Sequence, residues 1–138
     1  MKTVTVENTI SKNVEEVWEL WTNPEHITHW NFATPEWHCP TAEHDLRVGG
    51  RLKYKLAAKD GNMAFDYTAT FTTIKPGELL EYTLDDGRKV SISFTEKGNT
   101  TQIIERFEVE DENSIDMQRQ GWQAILDNFK RYAESKNL

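Results

Sequence analysis

The sequence predicts an α+β fold in which a curved antiparallel sheet covers a long C-terminal helix. Three observations carry this. Segments after Leu46 alternate apolar and polar residues, as in Leu52, Tyr54 and Leu56 against Arg51, Lys53 and Lys55, or Phe65, Tyr67, Ala69 and Phe71 against Asp66, Thr68 and Thr70. Turn signals at Asp60-Gly61-Asn62, Pro76-Gly77, Asp85-Asp86-Gly87 and Lys97-Gly98-Asn99 separate them into hairpin-linked strands. From Ser114 to Lys136 the period changes to that of a helix: Ile115, Gln118, Trp122, Ile125, Leu126, Phe129, Tyr132 and Ala133 share one face, while Arg119, Gln120, Gln123, Asp127, Lys130 and Glu134 share the other.

Taken in order, Val4 and Val6 alternate with Thr3, Thr5 and Glu7, and Ile10 closes a first strand. Ser11 or Asn13 caps a helix from Val14, with Val14, Val17, Trp18 and Trp21 on one face, and Asn23-Pro24 stops it. A short second helix from Pro24 to Trp30 is anchored by Ile27 and Trp30. Residues Asn31 to Asp45 lack periodicity and contain Pro35 and Pro40, so they read as a loop. The remaining strands are Leu79 to Leu84, Lys89 to Thr95 and Thr100 to Val109. Gly49-Gly50 is expected to bend the entry to the second strand, and Gly121 to permit close backbone approach at the final helix. The sheet has one polar face, and the final helix is the element whose apolar stripe can cover the other, with a pocket between them.

A length of 138 residues suits one domain, residues 1–138, with a hydrophobic core, and no second domain is expected. Five Trp, four Tyr and six Phe supply the apolar area that disorder would leave unburied. The formal charge of -7 repels phosphate backbones and anionic lipid, so neither nucleic acid nor membrane is expected as a partner. Cys39 is the single cysteine, which excludes an intramolecular disulfide. The polar alternation of MKTVTVENTI is unlike a signal peptide, and a cytoplasmic protein is expected.

Candidate chemistry concentrates on the last strand and the loop. Thr101, Ile103, Glu105, Phe107 and Val109 share one strand face, so Glu105 is expected to be a carboxylate in an apolar wall, with a raised pKa suited to proton transfer or to gripping a polar ligand group. The alternative is a bulge that turns Glu105 outward. Gln118 is placed nearer the cavity mouth as a polar ligand contact, or else bonds backbone near the helix start. Trp30, Phe32 and Trp37 are expected to fold back as a gate, and with Leu52, Tyr54, Phe65, Tyr67, Phe71, Tyr82, Phe94, Phe107 and Trp122 to line an aromatic pocket, or to serve only as core. His26, His29, His38, Cys39 and His44 cluster in sequence but match no metal-ligand spacing, so neither metal nor other cofactor is expected. No nucleophile elbow or phosphate loop is present.

Val17-Trp18, Asn23-Pro24-Glu25 with Ile27 and Trp30, Asp45-Leu46-Arg47-Val48-Gly49-Gly50-Arg51, Pro76-Gly77-Glu78-Leu79-Leu80-Glu81-Tyr82, and Gly121-Trp122 before Leu126 together resemble the START-like SRPBCC superfamily. The resemblance covers nearly the whole chain and points to the branch related to the activator of the 90-kilodalton heat-shock protein ATPase. It implies a helix-grip fold of order β-α-α-β-β-β-β-β-α, with the sheet holding the last helix over a hydrophobic cavity. The superfamily includes lipid carriers, hormone receptors, aromatic cyclases and co-chaperone domains, so fold does not choose an activity. The expected function is binding of an aromatic or lipid-like small molecule rather than catalysis. A chaperone-contacting module and a cyclase- or hydrolase-like enzyme using Glu105 are the alternatives. A homodimer is compatible with the sequence, which defines no interface.

Overall fold

The computed structural model describes residues 2–136. Strand β1 (Thr3–Ile10) is followed by helices α1 (Val14–Thr22) and α2 (Pro24–Ile27). Strands β2 (Trp37–His44), β3 (Arg51–Ala58), β4 (Ala64–Lys75), β5 (Leu79–Leu84), β6 (Lys89–Lys97) and β7 (Thr100–Glu108) then precede helix α3 (Ile115–Glu134). All seven strands form one antiparallel sheet in the order β1-β7-β6-β5-β4-β3-β2. The chain thus adopts the helix-grip plan, with one strand more than the sequence predicts.

That extra strand is β2, which falls in the stretch read as a loop. It pairs with β3 alone, at the sheet edge, and its register shifts between His38 and Thr41, around Pro40. A proline on an edge strand breaks no ladder bond on the open side, and a bulge destroys period-two alternation. The pattern that identifies a strand is therefore erased while its pairing survives.

The caps explain where the helices begin. The Asn13 side chain accepts from Glu16 N, Asn23 caps α2 through Glu25 N with Pro24 in the first turn, and Ser114 accepts from Met117 N. Inward positions of the sheet, including Val6, Leu52, Phe71, Val90, Ile92, Ile103 and Phe107, are 0–3% exposed and meet Leu126, Phe129 and Ala133 of α3 in one core. Gly50 is fixed by a close approach: a Cβ there would sit 2.1 Å from the Asp45 carbonyl oxygen. Gly121 is different from expectation, because a Cβ there would meet nothing within 4 Å. The helix is not pressed against backbone at that turn.

The polar face of α3 is stitched to the β1 edge. Gln123 Nε2 donates to Glu7 O at 3.1 Å, Asn8 Nδ2 donates to Asp127 Oδ1 at 2.8 Å, and Ser11 N donates to Glu134 Oε2 at 2.8 Å. These bonds orient the helix about its own axis and aim its apolar stripe at the sheet. Among the described residues no helix is long and apolar enough to cross a membrane.

Candidate functional site

Between the sheet and the first half of α3 lies a cavity of about 310 Å³. Tyr54 and Leu56 of β3, Phe65 and Tyr67 of β4, Leu80 and Tyr82 of β5, and Glu105 of β7 form its floor. Gln118, Trp122 and Ile125 of α3 cover it, and Trp21, Trp30, Asn31, Arg88, Glu110 and Asn113 complete its ends. Two larger hollows lie elsewhere, about 500 Å³ on the outer sheet face among Thr3, Thr83, Lys89 and Arg106, and about 680 Å³ beside α1 at Val14 and Trp18. Both are more open to solvent than the space under α3, which combines an apolar lining with a buried acid.

Glu105 faces inward as the alternation predicts. Its pairing with Val6 on β1 and Ile92 on β6 runs through an uninterrupted register, so no bulge turns it out. It is 4% exposed, and among the described residues no donor bonds its carboxyl. Burial alone pushes its pKa up to about 8. At neutral pH the side chain is therefore mostly the neutral acid, a donor as well as an acceptor. The neighbouring Tyr67 and Tyr82 hydroxyls bond each other at 3.0 Å, and burial raises both phenols.

The aromatic side chains divide into three groups. Tyr54, Tyr67 and Trp122 present their rings to the cavity, with Tyr54 stacked on Tyr67 at 6.4 Å and Trp122 at 6.5 Å from Tyr67. Phe107 lies behind the wall, stacked against Trp122 at 4.1 Å. Phe71 is buried beside Tyr82 and His44, and Phe94 is enclosed by Trp18 and Trp21. Leu52, 1% exposed, is core. The expected gate does not form as such. Trp30 is 3% exposed, donates its indole N–H to Leu20 O at 3.0 Å, and reaches the cavity only from within the core. Trp37 joins β2 and packs edge-on against Phe65 at 5.9 Å. Phe32 is half-buried, and neither it nor Trp37 lines the space. Phe65 stands at the rim, 50% exposed.

Gln118 borders the cavity, but its amide is already committed. Oε1 accepts from Glu110 N at 2.9 Å, while Nε2 donates to Glu110 O at 3.1 Å and Asn113 O at 2.9 Å. It pins the β7–α3 connection by bonding backbone near the helix start. Gln118→Ala is expected to cost about 1–3 kcal/mol in urea unfolding, because it strands the backbone groups of Glu110, while leaving ligand affinity unchanged. A loss of affinity with unaltered stability would reverse that assignment.

The sequence model of the family described as Activator of Hsp90 ATPase homolog 1-like protein matches residues 12–134. The chain belongs to this family. A solution structure of the AHSA1-like protein from Aeromonas hydrophila is 40% identical with a TM-score of 0.91, covering 97% of this chain and 93% of that one. A protein from Cytophaga hutchinsonii is 48% identical with a TM-score of 0.84, covering 96% and 92%. A protein from Chromobacterium violaceum shares the fold, with a TM-score of 0.89 at 22% identity and coverage of 99% and 100%. No curated protein matches the chain.

Within this member of the family the clustered histidines separate. His26 Nδ1 lies 2.7 Å from Tyr132 Oη and His29 stacks on the Tyr132 ring, whereas His44 bonds Tyr54 Oη at 2.9 Å. Cys39 is buried, with its thiol pushed up to about 11 by desolvation. Among the described residues no three His, Cys, Asp or Glu side chains converge on one point. Arg88, Asn31, Glu110 and Asn113 line the cavity without having been singled out from the sequence. Only Arg88 carried a readable signal, as the cation directly after the Asp85-Asp86-Gly87 turn, one residue from a strand whose register sets it beside the end of β7.

Proposed function

We propose that the protein binds an aromatic or lipid-like small molecule in the space between the sheet and α3. The observation that carries this reading is Glu105: a buried acid whose carboxyl takes no hydrogen bond among the described residues, opening onto a cavity lined also by Tyr54, Tyr67, Tyr82, Trp122 and Ile125. No fully buried side-chain oxygen among the described residues lacks a partner, so the Glu105 carboxyl opens to the cavity, where a ligand can complete its hydrogen bonds. Flat rings on the floor and in the cover favour a planar guest.

A thermal-shift panel of aromatic and lipid-like compounds tests it. A ligand held at 100 times its Kd stabilises the fold by about 2.7 kcal/mol, which raises Tm by roughly 10 °C for a domain of this size. Ile125→Trp, which places an indole in the cavity, should abolish the shift while preserving the fold. The family's name favours a second reading, a contact with a 90-kilodalton heat-shock protein. Failure of every compound, together with capture of a chaperone middle domain in a pull-down, would replace the first reading by the second.

A further inference from the structure

Arg88 gives the cavity a fixed positive charge at one end. It follows the β5–β6 turn, in which Gly87 takes a positive φ of 95°, and enters β6 beside the end of β7, where Lys89 N donates to Glu108 Oε1 at 2.7 Å. Its side chain is 20% exposed and lines the same space as Tyr67, Tyr82 and Glu105. Nε donates to Asp86 Oδ2 at 2.8 Å, and Asp86 itself is 54% exposed. Among the described residues no acceptor engages the two terminal nitrogens. The other carboxylate of the cavity lining besides Glu105, Glu110, is occupied by Asn113, whose N and Nδ2 donate to its two oxygens at 2.7 and 3.1 Å. A planar guanidinium with two free donor groups is shaped for a carboxylate.

Deepening the binding reading and resting on it, we infer that the guest is a flat aromatic acid, its carboxylate held by Arg88 at the rim, its ring against the cavity-lining sides of Tyr67 and Trp122, and a neutral acceptor oxygen opposite Glu105. The order of groups follows from the two ends. Glu105 pairs across the sheet with Ile92, four residues along β6 from Arg88, so about 13 Å of strand separates the levels at about 3.3 Å per residue. Burial pushes Glu105 up to about 8, so it offers a proton to a carbonyl or ether oxygen, while the guanidinium of Arg88 is the charged partner for the guest's carboxylate. The Tyr67 hydroxyl feels both ends: beyond burial and the Tyr82 bond, the Glu105 charge raises it and the Arg88 charge lowers it.

Calorimetry at pH 7 with 6-methoxy-2-naphthoate, which carries both the carboxylate and an ether oxygen at the far end, and its neutral counterpart 6-methoxy-2-naphthalenemethanol tests the assignment. The acid should bind at least tenfold tighter to the wild type. Arg88→Gln should erase that preference, weakening the acid far more than the alcohol, and Asp86→Asn, which removes the competing carboxylate, should tighten the acid several-fold. Should Arg88→Gln fail to fold, Asp86→Asn carries the comparison. Equal affinities in the wild type, or a ratio unmoved by both substitutions, would overturn the acid and leave the cavity reading intact if the alcohol still binds. Binding of neither compound would overturn both.

Discussion

Glu105→Gln is expected to become more stable than the wild type as pH rises, from no difference near pH 4 to on the order of 4 kcal/mol near pH 9. The sign follows from the proton. Below the ordinary carboxyl value of 4.5 the acid is neutral in both folded and unfolded chains, so burial costs no charge. Between there and about 8 the unfolded chain releases the proton and the folded one keeps it, so the wild type loses stability steadily. Above about 8 the folded chain ionises too, and the gap stops growing. Glutamine has the same shape and cannot ionise, so its curve lacks this slope. The other groups around the cavity do not mask the effect: Tyr67 and Tyr82 are raised and hold their protons to pH 9, and Arg88 and the Asn113-bonded Glu110 are common to both proteins. Urea unfolding at pH 4, 7 and 9 provides the test. Parallel stability curves would mean that Glu105 is solvated, and would remove it as the donor within the cavity.

The fate of Glu105 shows what strand alternation can reveal. Ile103 and Phe107 flank it at spacing two, so any register that buries them buries it, and the regular ladders to β1 and β6 leave no bulge to break that rule. Alternation says which side chains face inward, but not what each one meets there. Phe94, Phe107 and Tyr82 all point to the concave face, yet Trp18 and Trp21 enclose the first and Trp122 covers the second. Only the third reaches the cavity. Membership of the cavity depends on where the helices lie over the sheet, which tertiary packing decides and no local period records. The same limit hid β2, whose identity rests on long-range pairing with β3, and Arg88, which looks like an ordinary turn cation until the register carries it to the rim.

Helix α3 serves two purposes along its length. Gln118, Trp122 and Ile125 border the cavity, whereas Leu126, Phe129 and Ala133 are 0% exposed. The second half is the grip. Phe129 packs edge-on against Trp21 and Trp30, each at 4.8 Å, while Trp21 and Trp30 are 4.7 Å apart, so one ring ties α3 to α1 and to the residues following α2.

Phe129→Ala is accordingly expected to cost about 4 kcal/mol, from the lost burial and from a void that two rigid indoles cannot collapse to fill. Trp122→Ala should cost roughly half as much, since Trp122 is only half-buried and its removal opens an existing cavity to solvent rather than sealing a new one. Ligand affinity should show the opposite order. Losing Trp122 removes one wall of the cavity, whereas the weakened Phe129 variant, measured at a temperature where it remains folded, retains every side chain of the lining. Urea midpoints and calorimetric affinities on the two variants decide the matter. If Phe129→Ala weakened binding more than Trp122→Ala, the guest would have to sit among α1, α2 and the end of α3, and the space beneath Trp122 would not be its site.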